Sequence, residues 1–413
     1  MPEIAEAEAL LAALAQTDEA KAEAAQQQRL TRLQVAYGNA LIAARGFGAP
    51  ETTEAFARAR ESAFGDKDAS ERLAADYGLW VGCLVRGELS PMRAYAETFL
   101  GDVAARPDSP EAGVAHRVAG INLWFTGEYA EAKSHLERAL ALFQPGRDDD
   151  LAFRFGHDAG VGAMQILAFV SWALGDVDRA VSLINRMVER VATIHHVGSL
   201  ALGRMYAAIF AVMRNDLPAG KSLATEFVQL ARAHDLPLFR AFALFLDGWA
   251  KSNDSAVGGG LAEMRQGVES LRNLNIVFFD GLIKVALAEA EARAGDPERA
   301  RAIIDEALAT CDRAGYRAFE AELRRARGEM LLMRDLANQA RAEEAFKTAI
   351  AVAKQQSTRS FELRAALALA KLYQSTDRLA DAHAVLAPAL EGFAPTPEMP
   401  EVAEAQALME RLA

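Results

Sequence analysis

One turn recurs along the chain at nearly even intervals, and it constrains the fold more than any other feature. The segments RGELSPMRAYAETFL, TGEYAEAKSHLERAL, LGDVDRAVSLINRMV, RNDLPAGKSLATEFV, AGDPERARAIIDEAL and TDRLADAHAVLAPAL superimpose, with a less regular copy in SNDSAVGGGLAEMRQ. Their leading residues are Gly87, Gly127, Gly175, Asn215, Asn253, Gly295 and Asp377. The step from Gly295 to Asp377 is a double one with a degraded copy near Arg334-Asp335, and the longer step from Gly127 to Gly175 holds FQPGRDDD, read as a lengthened loop. Gly and Asn suit the left-handed C-cap of one helix, and the following Glu or Asp favours the start of the next. Five residues on stand Met92, Ala132, Ala180, Gly220, Gly258, Ala300 and Ala382, mostly small, as two closely crossing helices require. Leu136, Leu183, Leu223, Leu261, Ile303 and Leu386 follow one helical turn later on the same face.

Sustained alternation of apolar and polar residues is missing, and Ala, Leu, Glu and Arg dominate, so the chain reads as all-α. Pro50, Pro91, Pro110, Pro218, Pro237 and Pro297 fall at helix starts, where a missing N–H costs nothing. Pro388 lies inside a helical pattern and is expected to kink or end it. About nine hairpins of period near 40, each too small to hide its own apolar face, predict a right-handed α-solenoid. Its expected divisions are an N-terminal helical or capping segment (1–29), the solenoid (30–392), and a linker with a C-terminal helix (393–413).

A hydrophobic content of 51% supports an extensive core. The net charge of −12, from 45 Lys and Arg against 57 Asp and Glu, argues against nucleic acid or anionic membrane as partners. Cys83 and Cys311 stand alone, which points to small core residues in a reducing compartment. The N-terminal segment lacks a basic start and an apolar stretch, and the apolar run Ala163 to Leu174, broken by Gln165 and Ser171, falls short of a bilayer span. A cytoplasmic location is expected.

The hairpin pattern resembles tetratricopeptide (TPR) repeats, with a period longer than their usual ~34 residues. More narrowly, AYGNALIAARGFGAPET (36–52), RGEL (86–89), HRVAGINLWFTGEYAEAKSHLERALALF (116–143), LAFRFGHDAGV (151–161), FEAELRRARGEMLL (319–332) and RSFELRAALALAKLY (359–373) resemble the C-terminal repeat region of large bacterial signalling proteins. In that family a class III adenylate/guanylate cyclase domain and an AAA-type ATPase precede the array. The resemblance runs from about residue 30 to the end and implies a regulatory array without catalytic residues. No strands are predicted to carry a cyclase's metal-binding aspartates. The nearest approach to a phosphate-binding GxxxxGK[ST] loop is NDLPAGKS (215–222), with Asn in place of the first Gly and no strand before it, so Gly220 is read as a helix-crossing residue. Residues 1–14 match 399–412 at nine of fourteen positions. This is read as one unit of a longer tandem or a start inside a larger reading frame, in preference to a cap used twice.

No metal or other cofactor is expected: none of the seven histidines pairs with another at i, i+4, and Asp148, Asp149 and Asp150 lack the alternation of a calcium loop and are read as capping a helix near Leu151. Trp80, Trp124, Trp172 and Trp249 are expected in the core. In FRFGHD, Arg154 and His157 stand among aromatics just after the long loop. Arg117, Arg204, Arg240, Lys284 and Arg364 recur at a similar distance before their turns, near the middle of each first helix. TPR resemblance places that helix on the concave face, where a basic ladder could hold carboxylates by charge-assisted hydrogen bonds; stems that cover apolar surface and pair with Glu are the alternative. The expected function is a non-catalytic module that binds a protein or peptide, or the cyclase and ATPase domains of its own system. A sensor of an anionic metabolite or nucleotide near Arg154, His157 and Arg204 is the second reading.

Overall fold

The recurring turns close as their residues dictate. In the computed structural model, which describes residues 8–11, 23–63, 69–234, 237–253, 257–334 and 338–412, Gly87, Gly127, Gly175, Asn215, Gly295 and Asp377 all stand at positive φ, between 56° and 95°. Each ends its helix in the same way. At the first, Gly87 N–H donates to Leu84 O and Glu88 N–H to Cys83 O, and the pair is repeated at Gly127, Gly175, Asn215 and Gly295. These are Schellman bonds, which satisfy the orphan carbonyls of a helix end. The acidic residue after the turn caps the next helix at Asp216 and Asp296, which accept the N–H groups of Ala219 and Arg299; Asp176 makes no such bond, and Glu88 turns back to Arg86. The copy near Arg334-Asp335 reaches beyond the described residues at Asp335, and the match of 1–14 to 399–412 lies mostly outside them.

Residues 8–11 are helical, and twenty helices follow from Glu23 on. The first hairpin is α1 (Glu23–Arg45) with α2 (Pro50–Ser62), the second α3 (Ala69–Arg86) with α4 (Leu89–Val103), and the third α5 (Pro110–Thr126) with α6 (Tyr129–Leu142). The short α7 (Leu151–Phe155) sits in the lengthened loop. Then come α8 (Ala159–Ala173) with α9 (Val177–Thr193), α10 (Val197–Arg214) with α11 (Leu217–His234), and α12 (Pro237–Ser252) with α13 (Val257–Asn273). Pairs α14 (Asp280–Arg293) with α15 (Pro297–Ala314), α16 (Glu320–Arg334) with α17 (Gln339–Gln355), and α18 (Arg359–Ser375) with α19 (Leu379–Leu390) complete nine hairpins, and α20 (Pro400–Leu412) packs on the last. No strand occurs among the described residues. The all-α solenoid of nine hairpins is thus the fold; Pro388 lies inside α19, which ends two residues later.

The crossing code holds: Met92, Ala132, Ala180, Ala300 and Ala382 are fully buried, and a Cβ on Gly220 would stand 2.3 Å from Trp249 Cζ3. Gly220 is therefore a packing residue in a helix-turn-helix and not part of a phosphate loop. In the irregular sixth hairpin the crossing falls at Gly260, seven residues after Asn253, where a Cβ would meet Gly248 O at 2.5 Å. All four tryptophans are buried.

The array closes on itself, and this the repeat pattern does not announce. Helices α3, α5, α8 and α10 each offer the carbonyl of their penultimate residue to the second half of the chain. Val277 N–H donates to Val85 O and Arg317 N–H to Phe125 O, both at 2.8 Å; Ser360 Oγ donates to Trp172 O at 2.6 Å; and Arg364 Nη1 donates to Met213 O at 2.9 Å. Ser360 and Trp172 are 188 residues apart along the chain, and the first two pairs are separated by slightly more, about five hairpins. One superhelical turn therefore rests on the next, and the first helices between them become interior. In α8, 14 of 15 residues are buried. Trp124, Phe125, Phe169, Tyr206, Phe278, Phe279 and Phe319 form one aromatic cluster with ring centroids 4.4–6.4 Å apart. The expectation that first helices line an open concave face is corrected here for α5, α8 and α10, whose inner faces are filled by the aromatic residues of loops from the opposite superhelical turn. By length and composition α10 could cross a bilayer, yet it is 72% buried in this core.

Candidate functional site

Arg117 lies mid-way along α5 with its side chain turned into the interior. It is 6% exposed. Its Nη1 donates to Tyr77 Oη at 2.5 Å, and its guanidinium stands 5.8 Å from the Tyr77 ring centroid and 6.0 Å from that of Trp80, on α3. His157 reaches the same place from the other direction. The short helix α7 ends at Gly156, at a φ of 76°, and the turn folds His157 inward. His157 Nδ1 lies 3.2 Å from Phe155 O. Burial, reinforced by the neighbouring Arg117 charge, holds the imidazole well below its usual pKa and therefore neutral. Gly162 makes room for both, since a Cβ there would lie 2.6 Å from His157 Nε2 and 2.7 Å from Arg117 Nε.

Together with Gln165 on α8 and Tyr206 on α10, these groups line a cavity of about 60 Å³ whose remaining wall includes Val81, Leu202, Phe242 and Ile276. Burial raises the pKa of both Tyr77 and Tyr206, so both phenols stay protonated. Arg117 is the single formal charge among the five. No carboxylate among the described residues pairs with it; its Nε and the Gln165 Oε1 have no hydrogen-bond partner.

The other expected residues do not converge there. Arg154 pairs with Glu111 at 3.1 Å, Arg204 with Glu226 at 2.9 Å, and Lys284 with Asp280 and Glu306 at 3.1 and 3.5 Å. Arg364 lies in the seam between the two superhelical turns, 2.7 Å from Glu401 and 4.5 Å above the Trp172 ring. Arg240 is exposed and borders a cleft of about 640 Å³ floored by α12, between α11 and α13. The five basic positions thus form no continuous row: Arg117 points inward, Arg240 outward, and Arg364 into the seam. Asp158, the last residue of FRFGHD, caps α8 by accepting from Val161 N–H and pairs with Arg190 at 2.7 Å. Within the loop, Asp148 accepts from Gln144 N–H and Asp149 pairs with Arg190, while Asp150 makes no side-chain capping bond to α7. The expected cap of that helix is corrected: these carboxylates tie the lengthened loop to itself and to α9.

Tyr77, Gly162, Gln165 and Tyr206 escaped sequence reasoning. Only Gln165 left a signal, as the one amide within the apolar run Ala163 to Leu174. Among the described residues no group of three or more His, Cys, Asp and Glu side chains could hold a metal ion. His116 Nδ1 and His135 Nδ1 approach to 3.0 Å across α5 and α6, a pairing that spacing within one helix could not show.

No family model matches the chain. An uncharacterized protein of Rhizobium meliloti (strain 1021) is 26% identical over 202 residues, which are 49% of this chain and 20% of that protein. The chain therefore spans a minor part of the relative it matches. Among solved structures, the Rap conjugation gene regulator of the plasmid pLS20, in complex with a Phr peptide, is similar with a TM-score of 0.50 and 10% identity, over 93% of this chain and 98% of that one. A Rap protein complexed with Competence and Sporulation Factor gives 0.49 and 12% over 83% and 98%. A STAND-type ATPase with a tetratricopeptide repeat sensor from Pyrococcus horikoshii gives 0.46 and 15% over 96% and 56%. The chain has the fold of the TPR-like helical-repeat proteins.

Proposed function

We propose that the chain is a non-catalytic recognition module that binds a protein or peptide partner, with the cleft floored by α12 as its contact surface. The observation that carries this is the cleft itself. Over about 640 Å³ it combines guanidinium groups at Arg232 and Arg240, a carboxylate at Asp247 and amides at Gln266 and Asn273 with an apolar floor at Ala243 and Leu244, the mixture from which polypeptide interfaces are built. Its floor is stiff. A Cβ on Gly267 would meet Phe245 N at 2.7 Å, and Gly248 and Gly260 touch backbone to backbone, so α12 and α13 cannot slide without losing that fit. The peptide in the Rap regulator structure gives a class of partner to try. Resemblance to arrays attached to cyclase and ATPase domains makes such domains the finer proposal for partner, in a signalling role in which occupancy changes superhelix curvature. A cytoplasmic, reducing setting suits Cys83 and Cys311, both free and buried.

Affinity capture by the immobilised chain, with the captured proteins identified by mass spectrometry, tests the cleft. The double variant Arg232→Glu, Arg240→Glu should recover at least about ten-fold less partner, equivalent to ~1.4 kcal/mol, with an unchanged unfolding midpoint. Undiminished recovery would remove the cleft as the contact surface.

A further inference from the structure

The interior cavity is independent of that cleft and has its own chemistry. A buried cation without a counter-ion is costly, and structures normally pair it or neutralise it. The other well-buried basic side chains of this protein follow the rule: Lys284 and Arg364 are as enclosed as Arg117, and each has a carboxylate close by, at 3.1 and 2.7 Å. Arg117 has none among the described residues. Tyr77 occupies its Nη1, and its buried Nε has no hydrogen-bond partner. The volume, about 60 Å³, is less than half of one that holds benzene, ~150 Å³. It suits a few heavy atoms. A guanidinium matches a carboxylate, and the wall of Val81, Leu202, Phe242 and Ile276 matches a short alkyl chain.

We propose that this cavity binds a short-chain aliphatic monocarboxylate, held by the guanidinium of Arg117. The bound anion supplies the charge that no carboxylate among the described residues places beside Arg117. Because the cavity is walled by α3, α5, α8, α10 and α12 together with Ile276 from the loop before α14, occupancy draws both superhelical turns together.

Isothermal titration of the full chain with sodium formate, acetate and butyrate, at constant ionic strength set with sodium chloride, tests this. Saturable one-to-one binding of at least one of the three is expected, with no binding of butyramide. Arg117→Met should abolish it. Arg117→Lys keeps the charge and removes the fork, so it guards against loss of fold in the first variant and should weaken binding at least ten-fold. An absence of saturable binding in chain freed of carboxylate by dialysis, an equal response to butyramide, or an unchanged affinity in Arg117→Lys would each overturn the proposal. The cleft variant Arg232→Glu, Arg240→Glu should bind the carboxylate as the parent does; a loss there would show that the two sites are one and overturn their independence.

Discussion

Gly87 and Gly295 occupy the same place in the repeat and carry different constraints. Both stand at positive φ, 75° and 91°, where an L side chain is disfavoured by roughly 1–2 kcal/mol. Around Gly295 nothing lies within 4 Å of a would-be Cβ, whereas at Gly87 that atom would overlap Tyr316 Oη and lie 2.7 Å from Val277 Cγ2. The second set of contacts belongs to the superhelical neighbour. Gly295→Ala should therefore cost only the backbone term, and Gly87→Ala about 1–3 kcal/mol more, the usual range for overpacking. Urea unfolding of the two variants measures the difference; equal losses would mean that Tyr316 and Val277 yield freely and that the seam is soft. Turn residues could be found in the sequence because the left-handed C-cap is a local demand. That Gly87, Gly127 and Gly175 also serve close approach could not be found, because their neighbours Tyr316, Gln356 and Arg359 lie in the other half of the chain.

At the scale of elements, the seam uses groups that every helix leaves over. A helix end has carbonyls with acceptor capacity to spare, and the second half of the chain donates to one from each of α3, α5, α8 and α10, always the residue before the last; Trp172 O accepts from Gly175 N–H as well. Ser360→Ala removes the 2.6 Å donor to Trp172 O in a buried setting; that oxygen keeps the Gly175 N–H at 3.0 Å, so the loss should be about 0.5–1.5 kcal/mol, that of one net hydrogen bond. Ser375 is the matched control: its Oγ bonds Leu372 O within its own helix and is part-buried, so Ser375→Ala should change stability by less than ~0.5 kcal/mol. Chemical denaturation reads both, and an equal effect would place Ser360 outside the seam's energetics. Hairpin number, turn chemistry and the crossing residues were legible because each is set within a single repeat. The facing of a first helix was not. Arg240 and Arg364 share a register within the hairpin, with Arg117 three residues nearer its turn; they meet a cleft, a seam and a cavity, since what each side chain meets depends also on which part of the superhelix lies opposite. The sixth hairpin misled for a local reason: with Gly258, Gly259 and Gly260 in a row, any of three positions could make the crossing, and Gly260 does.

For the whole molecule, closure changes what kind of object the solenoid is. In an open array each repeat touches only its neighbours, stability is a sum of local terms, and ends can unfold while the middle stays folded. Here hairpins two to five also touch hairpins seven to nine, and the aromatic cluster draws on both sets, with Trp124 beside Phe278 and Phe319 and Trp172 beside Phe361. Opening either half exposes the other's core. The chain should consequently unfold in one transition, with tryptophan fluorescence, to which the seam-side Trp124 and Trp172 contribute, coinciding with loss of helix by circular dichroism. The combined variant Gly87→Ala, Gly127→Ala, Gly175→Ala places methyl groups against Tyr316, Arg317, Gln356 and Arg359 while each hairpin keeps its own crossing residues. If closure is the source of cooperativity, this variant should split the transition, with the fluorescence change preceding the main loss of helix by a measurable interval of denaturant. Coincident curves in the variant would mean that nearest-neighbour stacking alone couples the nine hairpins, and separated curves in the parent would mean that the two superhelical turns touch without stabilising one another.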